Sequence, residues 1–134
     1  MSRQPQEWTV ETVPDSFWKW IEAARGDTNQ FREVVKTLSR GELEDMNWQY
    51  VDLADSLFTS EHYSHMESET DDAVMDLANW IVMQGRDYYL DVHRHPEKTP
   101  PTVPVRGTSF HSVIIREYRQ RFGTNIPIRP SRVK

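Results

Sequence analysis

A chain of 134 residues with a net charge of −5 and no cysteine fits one domain, and it excludes disulfide staples, thiolate metal sites and a cysteine nucleophile. Only 37% of the residues are hydrophobic, yet five Trp, five Tyr and five Phe can each bury roughly 150–250 Å², enough to anchor a small core without staples. No apolar run reaches the roughly 20 residues that span a bilayer. Met1 to Glu11 lacks the basic-then-apolar pattern of a signal peptide. A cytoplasmic protein that needs no cofactor and no membrane is therefore expected.

In chain order, residues 1–14 read as a loosely held arm closed by Pro14. Asp15 and Ser16 offer N-cap chemistry for a first helix, which Gly26 ends. Phe17, Ile21 and Ala24 share one face of it, flanked by Trp18 and Trp20. Asp27 with Gln30 forms a capping-box variant opening a second helix, whose stripe is Phe31, Val34, Val35 and Leu38. Ser39 with Glu42 is a fuller box and opens a third, with Leu43, Met46, Tyr50, Leu53 and Leu57 as its seam. The short joints imply antiparallel neighbours.

Residues 59–72 are polar, acidic and without periodicity, which predicts a loop or irregular turn. Asp71 or Asp72 caps a fourth helix carrying Val74, Leu77, Ala78 and Ile81, and Gly85 marks its end or a tight bend. Arg86 to Arg94 forms a further helical piece with Tyr88, Tyr89 and Val92 as its apolar contacts. Pro96, Pro100, Pro101 and Pro104 make the next stretch extended and stiff. Thr108 or Ser109 then restarts a helix with Phe110, Ile114, Tyr118 and Phe122, ended by Gly123. The expected fold is all-α, a compact bundle of five or six helices: an arm over 1–14, a helical domain over 15–98, and a connector, helix and basic tail over 99–134 that pack on the same domain.

Two segments carry a resemblance. Phe17-Trp18, Ile21-Glu22 and Arg25 match an F-W-x-x-I-E-x-A-R opening, and Trp80-Ile81, Gln84-Gly85-Arg86 and Tyr89 match W-hydrophobic-x-x-Q-G-R-x-x-Y, followed by Pro96. With Asp71-Asp72 between them, residues 15–98 resemble the bacterial domain-of-unknown-function family 4240. The chain departs from that family over residues 59–70, where members often carry Trp, Gly and Cys, and in the tail beyond about residue 99. The family has no established activity, so the resemblance implies a small helical domain of bacterial origin and no particular chemistry.

Several groups are candidates for function. His62-x-x-His65 lies among Glu61, Glu67, Glu69, Asp71 and Asp72, a donor set for zinc or manganese if the two rings meet. The plainer reading is a solvated loop, because the i,i+4 histidine pair with an intervening glutamate is missing. Asp71 and Asp72 are candidate ligand or acid–base carboxylates, against helix capping. Arg86 offers a guanidinium to a phosphate or carboxylate ligand, against a structural bridge to Glu22 beside a glycine helix stop. No glycine-rich phosphate loop exists.

Charge is uneven. Residues 1–105 hold 9 Lys/Arg against 20 Asp/Glu, and residues 106–134 hold 7 against 1. Arg116, Arg119, Arg121, Arg129, Arg132 and Lys134, interleaved with Tyr118 and Phe122, fit nucleic-acid binding. The 110–114–118–122 series instead favours docking on the acidic body, with nucleic acid or a protein as the outside alternatives. The expected function is a non-enzymatic interaction or regulatory protein, immunity-like, that binds another bacterial protein, because Trp8, Trp20 and Trp48 exceed the evident needs of a small core. Self-association through the same rings is also open. An enzyme built on the acidic histidine loop and a nucleic-acid binder built on the tail are the alternatives.

Overall fold

The computed structural model describes residues 8–104 and 107–128. Its helices are α1 (Asp15–Ala23), α2 (Thr28–Lys36), α3 (Arg40–Asp55), α4 (Ser60–Tyr63), α5 (Asp71–Met83), α6 (Arg86–Arg94) and α7 (Phe110–Phe122), with a 3-10 turn at Pro96–Lys98. Among the described residues there is no strand, and the all-α bundle expected from periodicity is the fold found. No helix among them is long and apolar enough to cross a membrane.

Local chemistry explains most helix starts. The Ser39 hydroxyl accepts the Glu42 N–H at 3.1 Å while the Glu42 carboxylate accepts the Ser39 N–H at 2.8 Å, closing the expected box. Asp27 accepts from the N–H groups of Asn29 and Gln30. Ser109 accepts the Ser112 N–H, and Gly123 at φ 70° stops α7 in the left-handed region. Two caps differ from expectation. Pro14 stands at the N-cap of α1, with Asp15 inside the first turn. Thr70 caps α5, its hydroxyl accepting the Ala73 N–H at 3.3 Å, so Asp71 and Asp72 fall one turn position later.

The core forms where these amphipathic faces meet. Phe17, Phe31, Leu43, Met46, Tyr50, Leu53, Ile81, Tyr89, Phe110 and Tyr118 are wholly or almost wholly buried. Helix α7 packs against α2, α3 and α5, and Phe110 stacks on Phe31 with ring centroids 4.1 Å apart and planes 6° apart. Three buried tyrosines satisfy their hydroxyls across helices, as burial requires. Tyr50 donates to the Asn79 carbonyl at 2.6 Å, Tyr89 to the Leu53 carbonyl at 2.6 Å, and Tyr118 to the Glu44 carboxylate at 2.5 Å. Helix α3 takes part in all three, and so ties α5, α6 and α7 together.

Two connections are better held than composition implies. From Trp8 onward the arm is packed: the Trp8 N–H donates to the buried Asp52 carboxylate at 2.7 Å, and Val13 is buried. Pro96 opens a 3-10 turn, where its missing N–H costs nothing. The Thr99 hydroxyl donates to the Pro96 carbonyl at 2.6 Å, and the Glu67 N–H donates to the Pro101 carbonyl at 2.7 Å. The proline stretch is thus turned and pinned at its start rather than extended throughout.

Candidate functional site

The two motifs of the sequence meet in space. Gln84 and Gly85 alone separate α5 from α6, and Gly85 has φ 103° with ψ 175°, a conformation open in practice only to glycine. It ends one helix and stands at the N-cap of the next, where it has no side chain to satisfy the first N–H groups. Glu22 of α1 supplies the missing acceptor: its carboxylate takes the Arg86 backbone N–H at 3.0 Å. A Cβ on Gly85 would lie 3.1 Å from the Glu22 side chain. The negative carboxylate also sits at the positive end of α6. The expected bridge between Glu22 and Arg86 therefore exists through the main chain, not the guanidinium. The Arg86 side chain is exposed and has no ion pair among the described residues.

The 59–72 segment is largely the exposed, irregular stretch that its polarity predicts, but it departs from a solvated loop at its start. Residues Ser60–Tyr63 form α4, and His62 is only 1% exposed. Its Nδ1 accepts the Thr59 N–H at 2.9 Å, and its Nε2 lies 2.9 Å from the Val92 carbonyl, which requires the proton on Nε2. Both nitrogens are committed, and His65 is exposed. The expected meeting of His62 and His65 around an ion does not form, and no group of three or more His, Asp or Glu among the described residues is placed to hold one. His62 instead joins a ring stack: His93 lies 6.3 Å away and Tyr89 6.2 Å beyond it, while His93 Nδ1 donates to the Leu57 carbonyl at 2.9 Å.

The basic C-terminal helix is divided in its roles. Arg121 donates to the Leu38 carbonyl at 2.7 Å, lies 3.8 Å from Glu117, and covers the Phe122 ring. Arg40 donates to the Tyr118 hydroxyl at 2.9 Å and lies over the Tyr118 and Phe122 rings from the α3 side. Arg116 and Arg119 are exposed. Arg129, Arg132 and Lys134 lie outside the described residues. The rings of Tyr118 and Phe122, candidates for base stacking, are turned against α3 and the arginines.

Asp71 and Asp72 occupy the first turn of α5, where the helix dipole favours them. Asp72, Asp76 and Trp80 continue one i,i+4 line along that helix. Met75, 42% exposed, lies beside it, and Tyr88 of α6 meets Trp80 edge to face at 5.8 Å. Both rings are only partly covered. Burial and the neighbouring Asp91 push the Tyr88 hydroxyl above its ordinary pKa of 10.0, in keeping with acids gathered round the rings. Sequence reading missed this patch because Met75 and Tyr88 look like ordinary core residues, although the Asp72–Asp76–Trp80 spacing marks it. The cations Arg32 and Lys36 were missed likewise: they lie opposite Arg116 across a cleft between α2 and α7.

The class of protein is thus a small all-helical bundle with an acidic, aromatic face on α5 and α6. No family model, curated protein or solved structure matches the chain.

Proposed function

We propose that this chain is a non-enzymatic bacterial interaction protein, a regulator or immunity-like factor, that binds a basic partner protein through the α5–α6 face. The observation that carries the reading is the patch of Asp72, Met75, Asp76, Trp80 and Tyr88, which sets two half-covered rings and an exposed thioether among carboxylates. Partly exposed Trp and Tyr supply the rigid, amphipathic anchors that dominate interface energies. The flanking acids steer and select a partner of opposite charge. The reactive groups named from sequence support binding over catalysis, since Glu22 and His62 are committed to helix ends and carbonyls inside the fold. The bacterial source rests on the family resemblance of residues 15–98.

The test is affinity capture from the native host with two baits, the wild-type chain and an Asp72→Lys/Asp76→Lys variant. The reading expects a protein held by the first bait, released by added salt, and absent from the second. No specific protein on the wild-type bait, or equal retention on both, contradicts it.

A further inference from the structure

We propose that the cleft between α2 and α7 binds a small phosphate-bearing anion. The cleft holds about 230 Å³ and is lined by Arg32 and Lys36 on one wall and by Thr108, Val113, Arg116, Glu117 and Gln120 on the other. Arg32 and Lys36 are i,i+4 neighbours on α2, as Arg116 and Gln120 are on α7, so each pair presents side by side. Arg116 has no ion pair among the described residues. Arg32 donates from one nitrogen to the Asn29 side chain at 2.6 Å, which leaves further guanidinium donors for a ligand. Lys36 is paired with Glu33 at 3.1 Å, but both side chains are more than half exposed, and such a pair yields easily. The carboxylate on the wall, Glu117, lies 3.8 Å from Arg121.

Three cations therefore face one carboxylate across a concave site in a chain whose net charge is −5. Arginine forks with a lysine suit phosphate oxygens, and Thr108 and Gln120 add neutral donors. The volume falls below the roughly 300–1,000 Å³ of drug-sized sites, so it suits a phosphate or diphosphate group and not a whole large cofactor. A continuous nucleic-acid track is disfavoured because Arg121, beyond the exposed Arg119 on α7, is committed to the Leu38 carbonyl. The site lies on α2 and α7, so its fate is separate from that of the α5–α6 face.

Pyrophosphate titrated into the full chain, followed by amide NMR shifts, tests the assignment. Saturable shifts are expected at residues 32, 36 and 116, with affinity falling about tenfold for each cation removed in Lys36→Gln and Arg116→Gln. Arg119→Gln, an exposed cation of α7 outside the cleft, is expected to leave affinity within about twofold. Absence of saturable binding overturns the proposal, as does equal weakening by Arg119→Gln. Tighter binding of a single-stranded oligonucleotide that depends on Arg119 overturns it in favour of a nucleic-acid surface.

Discussion

Gly85 meets three demands at one position: a positive φ, the end of α5, and room for a carboxylate from α1. Alanine there keeps the strained backbone, about 1–3 kcal/mol, and places its Cβ 3.1 Å from Glu22. Chemical denaturation is expected to show Gly85→Ala destabilised by at least that amount, and Glu22→Ala by about 1 kcal/mol for the lost cap. In the double variant the collision disappears and the backbone strain remains, so the two losses combine to less than their sum. Strict additivity would refute the contact. His62 makes a second residue-scale prediction. Alanine orphans the buried Val92 carbonyl and the Thr59 N–H, for a loss of about 2–3 kcal/mol by the same measurement. Micromolar zinc or manganese is expected to leave the unfolding midpoint unchanged, since neither ring nitrogen is available. A metal-dependent rise that His62→Ala/His65→Ala abolishes would instead revive the enzyme reading. Sequence marked Glu22, Gly85 and Arg86 through the resemblance, but it could not tell which atom of Arg86 makes the contact, because 64 residues separate the partners. It placed His62 in a solvated loop because a helix of four residues shows no periodicity, and the burial of that ring comes from α6.

At the scale of elements, legibility follows how local the cause is. Helices α2, α3 and α7 begin where Asp27, Ser39 and Ser109 place a side-chain oxygen within three residues of the N–H it caps. The Phe31–Val35 and Phe110–Ile114–Tyr118 stripes identify buried faces correctly because a helix repeats its face on its own. Which face meets which is a long-range matter, and the Phe31–Phe110 stack had no signal in either segment. At the joint of α5 with α6 the sequence suggests the Glu22 bridge, but it does not show that Glu22 caps α6 through the main chain, since a trans cap leaves no trace in the adjacent residues. Helix α7 closes the core, so deleting residues 106–134 is expected to abolish the cooperative thermal transition. Phe110→Ala is expected to cost about 3–5 kcal/mol. A deletion that left a cooperatively folded body would make the helix an appendage, and the tail a free surface.

At the scale of the whole molecule, stability is bounded on both sides of neutrality by buried rings. Burial lowers the His111 pKa below its ordinary 6.5, and its Nε2 lies 2.9 Å from the Asn47 side-chain oxygen. The unfolded chain therefore takes up that proton first, and stability present above about pH 6.5 is lost as pH falls through the folded value. Burial raises Tyr50 well above 10.0 and Tyr89 to about 12. Their contribution is complete below about pH 10 and is lost as pH rises, because the unfolded tyrosines ionise first. Melting temperature is expected to plateau between about pH 7 and 9 and to fall on either side. His111→Gln is expected to flatten the limb between about pH 6.5 and 5, above the range of ordinary carboxylates. An unchanged limb would place the acid sensitivity elsewhere.

The bundle carries two charged surfaces that cut across the charge halves read from sequence: an acidic, ring-bearing face on α5 and α6, and a cleft between α2 and α7 whose cations are Arg32 and Lys36 from the acidic half and Arg116 from the basic one. Neither follows from composition, because each joins residues from two helices. The claim that the acidic face is where the protein acts is tested most directly by amide hydrogen exchange on the full chain, alone and with its captured partner. Slowed exchange along residues 71–91, with α2 and α7 unchanged, is the predicted result. Slowing confined to α2 and α7, or none anywhere, would contradict it.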